Sequence, residues 1–481
     1  MQRLSNFIGG EFQAPLEGKY LDKISPATAE KIYELPDSTE LDVVQAVKAA
    51  QAAFEGWSKK KAVERSQILN RVADLIDKNS DRLAAAETAD VGKPLTLSKT
   101  LDIPRAALNF RFFAGAILHK HEAASDMDGE AINYVLRQPV GVAGLIAPWN
   151  LPLYLMTWKI APAIACGNTV VCKPSEWTSM TCHLLAELLN EAGVPKGVVN
   201  FVFGRGDPAG AYLVKHPGVP LISFTGGTAT GAKIQTMAAP YVKKLSLELG
   251  GKNATILMKD VDIAKVVPQI ARASFLNSGE ICLCGSKILV QEDIYEEFTA
   301  ELVKHVEALV VGDPLDEKTF MGPIVAKSQY DKVMSLFEVA KKDGGKVLTG
   351  GVPPEGLPET MKNGYFLRPT LIGDLTNCSE IHQTEIFGPV VTVNSFKYMH
   401  EAVKWANLSP YDLSASVWTK NLNWAHKLAA DLDVGTVWIN TWLKRDLRMP
   451  FGGQKASGLG REGGDHSLDF FTETKTVCVQ L

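Results

Sequence analysis

Two side chains near the middle of the sequence have the types that nucleophilic and general-base catalysis require. Cys282 lies in NSGEICLCG, and Glu248 lies in LSLELGGKN. A thiolate adds to a carbonyl carbon, and a carboxylate can activate the water that releases the acyl group. Taken singly, a cysteine is more often a small buried hydrophobic residue, and a glutamate beside two glycines is usually exposed. Cys284 is interpreted as a packed neighbour rather than a second nucleophile.

Asn150 is a candidate for stabilising negative charge. It lies between Pro148 and Pro152 in APWNLPL, and prolines restrict the local backbone, so its amide could be held rigidly. An amide N–H fixed towards a developing oxyanion stabilises the transition state by about 3–4 kcal/mol. The alternative is an asparagine that only forms a turn.

A glycine-rich turn could bind phosphate. LISFTGGTATGAKIQTMAA has the pattern strand, glycine-rich turn, helix, with Gly226, Gly227 and Gly231 in the turn region. Glycines let the backbone approach a ligand closely, and the first N–H groups of the helix attract phosphate. The spacing is not G-x-G-x-x-G, so an ordinary tight turn remains the alternative.

Lys173 and Glu176 follow another apolar run, in VVCKPSE. Open α/β sheets bind ligands at the carboxyl ends of their strands. A carboxylate there can accept hydrogen bonds from both hydroxyls of an adenosine ribose and would repel a 2′-phosphate, so Glu176 favours NAD over NADP. The alternative is an acidic residue at a helix N-terminus.

Alternating strands and helices must position these residues. Residues 39–120 have helical periodicity, with Thr39 and Glu40 where a cap belongs. Four apolar, β-branched runs that end in Gly or Pro predict buried parallel strands: GVAGLIAP, GNTVVCKP, VVNFVFG and LISFTGG. The second half alternates in the same way, so two α/β domains are expected, the first an open doubly wound sheet. DFFTETKTVCVQL predicts a C-terminal strand that pairs elsewhere, for instance with another subunit.

Composition excludes several classes of protein. The chain has 481 residues, a formal net charge of −4 and no long run of like charge, so nothing favours nucleic acid or an anionic membrane as a partner. No apolar run is long enough to span a bilayer, and the N-terminus lacks a secretory signal pattern. Seven cysteines, with only one tight pair, favour free thiols in a reducing cytoplasm and no zinc site.

Taken together, seven segments resemble the aldehyde dehydrogenase superfamily from residue 5 to the C-terminus. They stand in the family's order and with its spacing: PWNLPL, KPSE, FTGGTATG, LELGGKN, GEIC, EIFGPV and FGGQKASGLGREGG. The resemblance implies that Cys282 is the nucleophile and forms a thioester, and that Glu248 is the base that hydrolyses it. Asn150 and the Cys282 backbone N–H would form the oxyanion hole.

The resemblance also implies an NAD site and an assembly. The residues implied to contact the cofactor are Ala147, Trp149, Lys173, Glu176, Gly206, Gly227, Glu385 and Phe387. Residues 1–118 and 139–250 would form the dinucleotide-binding domain and residues 251–450 the catalytic domain. Residues 119–138 and 466–481 would form a small β arm that joins subunits into a homodimer or homotetramer.

This sequence departs from the family pattern at two positions. The family commonly has serine where this chain has Gly227, which removes a hydroxyl contact to phosphate that a backbone contact could replace. The family commonly has glycine where this chain has Asp412, in SPYDLSASVW. Because aspartate tolerates the left-handed conformation better than most residues, we expect the turn to persist.

The C-terminal segments most resemble the branch of the family that oxidises 2-aminomuconate or 2-hydroxymuconate 6-semialdehyde, products of aromatic-ring cleavage that carry a carboxylate. Arg445 and Arg105 are candidates for binding that carboxylate, because a guanidinium donates two parallel hydrogen bonds. Arg111 and Arg448 are rivals for the role, and the neighbouring Asp446 could simply pair with Arg445. Alternatives are a dehydrogenase of betaine aldehyde, an aliphatic aldehyde or succinate semialdehyde, or a non-catalytic binding or structural protein.

Overall fold

The structure is a computed structural model that describes residues 2–376 and 378–481. The helices are α1 (Glu40–Ser58), α2 (Ala62–Lys78), α3 (Ser80–Val91), α4 (Leu95–Leu97), α5 (Ile103–Ala116), α6 (Pro152–Ala165), α7 (Met180–Glu191), α8 (Ala211–Lys215), α9 (Thr228–Ala238), α10 (Ile263–Phe275), α11 (Tyr295–Glu307), α12 (Lys327–Lys342), α13 (Met399–Asn407), α14 (Leu422–Asp431) and α15 (Gly464–Phe470).

The strands are β1 (Gln2–Arg3), β2 (Asn6–Ile8), β3 (Glu11–Gln13), β4 (Tyr20–Ile24), β5 (Lys31–Pro36), β6 (Ala124–Asp126), β7 (Ala131–Pro139), β8 (Val142–Ile146), β9 (Thr169–Lys173), β10 (Val199–Phe201), β11 (Leu221–Thr225), β12 (Lys244–Glu248), β13 (Asn253–Leu257), β14 (Gly285–Gln291), β15 (Lys346–Thr349), β16 (Thr370–Gly373), β17 (Val390–Phe396), β18 (Tyr411–Asp412), β19 (Ser414–Trp418), β20 (Thr436–Ile439), β21 (Gln454–Lys455), β22 (Gly458–Leu459) and β23 (Thr472–Gln480).

The long N-terminal helices begin and end where local chemistry dictates. α1 starts after Thr39, whose backbone N–H donates to the Asp42 carboxylate at 2.9 Å, so the predicted cap lies at this position. The helical periodicity from Ala62 onwards is divided at Asn79 into α2 and α3. Gly92, with φ of +81°, ends α3, a conformation that only glycine adopts at little cost.

The first large sheet has the doubly wound arrangement that the sequence predicts. Its strand order is β22-β12-β11-β8-β9-β10-β2-β3, and the five strands from β12 to β10 are parallel. Every residue of β8, β9 and β11 is buried, as expected when helices cover both faces. The chain crosses from β10 back to β11, so the strand order reverses between β8 and β11. Ligands bind at such a reversal.

The second large sheet carries the segments of the other half. Its order is β15-β16-β17-β14-β13-β19-β20, and all pairs except β15–β16 are parallel. The amino end of β13 directly follows the LELGGKN loop, and the loop that contains Cys282 leads into β14. The two strands are neighbours, so the sheet brings the two loops together.

A third sheet joins the C-terminus to an internal hairpin of the same chain. β23 pairs antiparallel with β7 over nine residues, from Thr472 opposite Pro139 to Gln480 opposite Ala131, and β6 pairs with the other edge of β7. The predicted start of the strand at residue 469 is wrong. Asp469 and Phe470 belong to α15, because this segment packs apolar side chains on the first domain: Leu468 and Phe471 are buried in its core.

The expectation for Asp412 is also wrong. Asp412 lies in β18, which pairs with β21, and it does not have positive φ, whereas its partner Lys455 does, with φ of +48°. The buried Asp412 carboxylate forms an ion pair with Lys455 Nζ at 2.7 Å. An extended backbone and a charge partner therefore accommodate the aspartate, and no left-handed turn is needed. Within the described residues, no helix combines the length and apolar character that crossing a bilayer demands.

Candidate active site

A strained loop presents Cys282. Between α10 and β14, Asn277, Ser278 and Gly279 all have positive φ, at +53°, +57° and +69°. A side chain on Gly279 would lie 2.4 Å from the Gly388 carbonyl oxygen, so only glycine fits there. Non-glycine residues in this conformation cost on the order of 1–3 kcal/mol each and concentrate at functional sites. Asn277 Nδ2 donates to the Asn150 carbonyl at 3.0 Å, which fastens the loop to the first sheet.

The Cys282 side chain lies where three cavities meet. One, here called the thiol cavity, also contains Glu248, Tyr154, Trp158 and Arg445. The other two adjoin the loops at residues 385–388. Burial, followed by the carboxylates of Glu248 and Glu385, raises the pKa of Cys282 to about 12, and Arg445 opposes this rise. The sulfur therefore carries its proton in the protein alone, and a base must accept that proton when the sulfur reacts.

Asn150 is tied to the cysteine loop. It follows β8, and its Nδ2 donates to the Glu280 carbonyl at 2.8 Å, two residues before Cys282. The side chain is 2% exposed and lines a cavity with Cys282. The NH₂ group has two hydrogens, and the second stays available to an oxygen bound beside the sulfur.

Glu248 ends β12 and is buried without a partner. Neither carboxylate oxygen has a hydrogen-bond partner among the described residues. Burial and then the nearby Glu462 raise its pKa well above the usual value. A side chain on Gly452, which has φ of +154°, would lie 2.7 Å from Glu248 Oε1, so glycine makes the room that this carboxylate occupies. A raised pKa suits a general base that operates near neutral pH.

An internal ion pair flanks Glu248. Lys159 Nζ, on α6, donates to Glu462 Oε1 at 3.0 Å and to Ser223 Oγ at 2.9 Å. Sequence reasoning did not identify either charged residue, because they are 303 positions apart and meet only through the fold. Glu462 adds to the rise of the Glu248 pKa, and the positive charge of Lys159 opposes it.

Another cavity, separate from the three that meet at Cys282, lies at the carboxyl ends of β8, β9 and β11. It is here called the strand-end cavity, and it measures about 230 Å³. Six of the residues predicted to contact a cofactor line it: Ala147, Trp149, Lys173, Glu176, Gly206 and Gly227. Lys173 Nζ pairs with Glu176 Oε2 at 3.2 Å, and the Glu176 side chain remains 29% exposed. This carboxylate is therefore held in place while one oxygen stays accessible.

Gly227 caps α9 at the edge of the strand-end cavity. No side chain caps this helix, and a side chain on Gly227 would meet nothing within 4 Å. The N-terminal N–H groups therefore face open space, where a phosphate can accept hydrogen bonds from them. Apolar side chains of Val214, Phe224 and Ile234 line the same cavity, so a dinucleotide with a flat base and a pyrophosphate fits the residues present.

One of the two cavities beside the loops at residues 385–388 connects the strand-end cavity with the thiol. Glu385 and Phe387, the remaining two cofactor candidates, line it together with Trp149, Gly227 and Cys282. Glu385 Oε1 accepts a hydrogen bond from Gly251 N at 2.9 Å. The ring of Phe387 meets Trp149 edge-on at 5.3 Å. All eight candidates therefore line two adjoining cavities that end at the sulfur.

Arg445 and Arg105 lie against the aromatic side chains that line the thiol cavity. Arg445 lines it, and Arg105, on α5, is held by Asn109 Oδ1 at 2.9 Å and stacks on Tyr154 and Trp158, which line it. Nη2 of each arginine is buried without a hydrogen-bond partner among the described residues. Burial lowers the pKa of Arg105, and repulsion from Arg445 adds to this effect.

The rival arginines are occupied elsewhere. Arg111 pairs with Asp74 and Asp77 at 2.7 and 2.6 Å on an exposed helix surface. Arg448 forms an ion pair with Asp446 at 2.6 Å. The carboxylate adjacent in sequence to Arg445 therefore does not neutralise Arg445. Buried donors without partners cost free energy, which makes Arg105 and Arg445 the better candidates for an anionic ligand.

Sequence reasoning missed the aromatic walls of the thiol cavity. Tyr154 and Trp158 are one helical turn apart on α6 and therefore share a face. The segment LPLYLMTWK shows this spacing. Only the fold brings Phe451 and Arg445 next to Trp158 on this face of α6. In residues 2–376 and 378–481, no cluster of His, Cys, Asp and Glu side chains could hold a metal ion.

Comparison with known proteins gives the family of this chain. A model described as the aldehyde dehydrogenase family matches residues 13–477. A 2-aminomuconic semialdehyde dehydrogenase of Bos taurus is 49% identical over 99% of this chain and 98% of its own length. A 2-hydroxymuconic semialdehyde dehydrogenase of Pseudomonas sp. strain CF600 is 45% identical over the full length of both chains. The NAD⁺ complex of a Bacillus cereus aldehyde dehydrogenase superposes with a TM-score of 0.97 at 38% identity, covering 100% of this chain and 97% of that one.

Proposed function

This chain belongs to the aldehyde dehydrogenase family, and we propose that it oxidises a carboxylate-bearing semialdehyde to the dicarboxylate with NAD. Substrates of this kind are 2-aminomuconate and 2-hydroxymuconate 6-semialdehyde. The relatives from Bos taurus and Pseudomonas are named for 2-aminomuconic and 2-hydroxymuconic semialdehyde. The observation that carries the substrate choice is the pair of guanidinium groups of Arg105 and Arg445 beside the cavity that contains Cys282. Their buried Nη2 atoms have no hydrogen-bond partner in the part of the chain that the structure describes.

Binding orients the substrate between two ends of the thiol cavity. The substrate carboxylate accepts hydrogen bonds from Arg105 and Arg445, and its conjugated carbon chain lies against the apolar walls formed by Tyr154, Leu155 and Phe451. The aldehyde carbon is then directed to the Cys282 sulfur. This charge at one end favours a semialdehyde with a carboxylate over a plain alkyl aldehyde.

The first chemical step forms a carbon–sulfur bond. The Cys282 thiol loses its proton to solvent, and the sulfur adds to the aldehyde carbon. Asn150 Nδ2 and the Cys282 backbone N–H donate to the resulting oxyanion. Removal of one such donor typically slows catalysis by about 10²–10³-fold.

The second and third steps release the acid. When bound, NAD accepts the hydride that leaves this carbon, and a thioester remains on Cys282. Glu248 then takes a proton from water, the resulting hydroxide attacks the thioester, and the sulfur leaves and recovers a proton. Since a base is needed for water but not for transfer to a thiol or phosphate, Glu248 favours a free carboxylic acid as product. Lys173, Glu176 and Gly227 would hold the adenosine ribose and pyrophosphate.

Replacing Arg445 tests the substrate class. We expect Arg445→Ala to raise KM for 2-hydroxymuconate 6-semialdehyde by roughly 10–100-fold, because a charge-assisted hydrogen bond is lost. KM for hexanal should change by less than about threefold. The measurement is steady-state NADH formation on both aldehydes. Arg448→Ala is the matched control, because that arginine is exposed and paired with Asp446, and it should leave both KM values unchanged. An equal rise of KM on both aldehydes would contradict the proposal.

We propose that the β arm joins subunits of this protein. β7 exposes Ile132, Tyr134 and Leu136, alternate residues of one strand face, and an exposed apolar face is typical of an interface. We expect a homodimer or homotetramer through this arm, formed by residues 119–138 and 466–481. Double replacement Ile132→Glu and Leu136→Glu should give monomers in size-exclusion chromatography with light scattering. Leu422→Glu, at another exposed leucine, should not. An unchanged oligomer in the double variant would refute the arm's role.

A further inference from the structure

Two guanidinium groups of like charge lie against one indole ring. Arg105 Cζ is 5.3 Å and Arg445 Cζ is 5.7 Å from the centre of the Trp158 ring. Each arginine also contacts a second ring, Tyr154 at 4.8 Å and Phe451 at 3.6 Å respectively. The face of an aromatic ring attracts a cation. Among the described residues, Trp158 is the one ring that both guanidinium groups contact, so it links two charges that would otherwise repel each other.

Trp158 also has a donor that nothing in the described chain satisfies. Its side chain is 3% exposed, and Nε1 is buried without a partner. Buried indole N–H groups usually have one, and four other tryptophans of this chain donate theirs: Trp57 to Ile164 O, Trp418 to Ser416 Oγ, Trp438 to Lys444 O and Trp442 to Leu283 O. Among the described residues, Trp158 is therefore the tryptophan whose buried indole N–H lacks a partner, and it lines the thiol cavity.

The arrangement around Trp158 is fixed before any ligand binds. Asn109 Oδ1 accepts from Arg105 Nε at 2.9 Å, and Asn109 Nδ2 donates to the Tyr154 carbonyl and to Thr157 Oγ1, both at 3.0 Å. This bridge joins α5 to the turn of α6 that carries Trp158. The bridge uses Nε of Arg105, and Nη2 of Arg105 has no partner in residues 2–376 and 378–481. Preorganised donors bind an anion without the entropic cost of ordering flexible side chains.

We propose that Trp158 is a specificity-determining residue, which keeps the two arginines together and gives its indole N–H, with their Nη2 atoms, to the substrate carboxylate. This inference rests on the proposed function. A carboxylate has about four lone-pair positions, enough for these three donors. The site therefore recognises the carboxylate itself and binds planar unsaturated dicarboxylates even when they lack an aldehyde.

Binding of muconate to the Cys282→Ser protein, measured by isothermal titration calorimetry, tests this inference. Muconate is a conjugated dicarboxylate without an aldehyde, and the serine prevents addition of the thiol. In this background we expect Trp158→Phe to weaken muconate binding by about tenfold, because a hydrogen bond to a charged group is lost while a ring is retained. With Cys282 intact, Trp158→Phe should raise KM for the semialdehyde by a larger factor than it lowers kcat, and by a larger factor than it raises KM for hexanal.

Trp57→Phe is the matched control. It removes an indole N–H that has a partner, so it should lower the melting temperature by several degrees and leave muconate affinity unchanged. Trp158→Phe removes an unsatisfied donor, so its melting temperature should stay within about one degree of the parent. Unchanged muconate affinity in Trp158→Phe, or a lower melting temperature with equal losses on both aldehydes, would overturn the inference.

The arginine variants separate this inference from the function on which it rests. If Arg445→Met abolishes muconate binding and Trp158→Phe does not weaken it, the carboxylate site stands and the role of Trp158 fails. If Arg445→Met binds muconate as well as the parent does, the proposed substrate class itself fails.

Discussion

Replacing Cys282 with serine should lower kcat for aldehyde oxidation by roughly 10³-fold or more, on the scale seen when a catalytic nucleophile is removed. A serine hydroxyl is a far weaker acid and nucleophile than a thiol, and the carboxylates of Glu248 and Glu385, which already raise the pKa of the thiol, disfavour an anion at this position. The measurement is NADH formation at saturating NAD and semialdehyde. NAD affinity, followed separately by titration calorimetry, should change little, because the strand-end cavity does not include residue 282.

Cys284→Ser is the control for this experiment. The Cys284 thiol is 4% exposed and packs in an apolar cluster, with a 3.8 Å contact to the Leu276 carbonyl. Its replacement should retain most of the activity. Loss of turnover in Cys284→Ser with normal turnover in Cys282→Ser would reverse the assignment of nucleophile and neighbour.

Replacing Glu248 with glutamine should separate oxidation from hydrolysis. The amide has nearly the same shape but cannot take a proton from water, so steady-state turnover should fall by about 10²–10⁴-fold. Because the proposed first step does not use Glu248, the first turnover should survive, and rapid mixing should give a burst of one NADH per active site followed by a very slow phase. A burst of full amplitude assigns Glu248 to hydrolysis alone, whereas the absence of a burst assigns it to deprotonation of Cys282 as well.

The pH dependence of thioester hydrolysis also tests the role of Glu248 as the base. Burial and Glu462 raise the pKa of Glu248, so the carboxylate is protonated, and inactive as a base, up to a higher pH than an exposed glutamate would be. Hydrolysis by the parent enzyme should therefore accelerate as pH rises through this pKa. The slow phase of Glu248→Gln should lack that rise. Normal steady-state turnover in the variant would show that a different base hydrolyses the thioester.

Patterns of local sequence predicted the framework well. The buried strands β8, β9 and β11 coincide with apolar, β-branched runs that stop at glycine or proline, because strands covered on both faces need continuous apolar sequence. The loops at the ends of these strands then lie together by topology. This explains why Lys173 and Gly227, far apart in sequence, could both be expected beside one nucleotide.

Local sequence could not predict contacts that depend on several distant segments. The space for Glu248 is made by Gly452, and the pairing of Lys159 with Glu462 joins two segments that share no pattern. The positive φ of Asn277 and Ser278 is imposed by surrounding contacts, such as Asn277 Nδ2 with the Asn150 carbonyl. Neither residue type by itself indicates that conformation.

Asp412 illustrates the limit of an argument from one residue's preference. An aspartate in a family glycine position suggested a left-handed turn, because that is the local way to accommodate it. The fold supplies a different solution, an extended strand with Lys455 Nζ at 2.7 Å from the carboxylate. The partner comes from the distant β21, so the ion pair becomes visible only when both strands are in place.

The central claim is a thioester on one particular sulfur, and acid-quenched peptide mapping by mass spectrometry tests it most directly. Glu248→Gln protein would be mixed with NAD and 2-hydroxymuconate 6-semialdehyde, quenched within the first turnover and digested. We predict that the peptide containing Cys282 gains the mass of the acyl group, that fragmentation assigns the group to Cys282, and that hydroxylamine removes it. An acyl group on Cys284, or NADH formed with an unmodified Cys282, would contradict the claim.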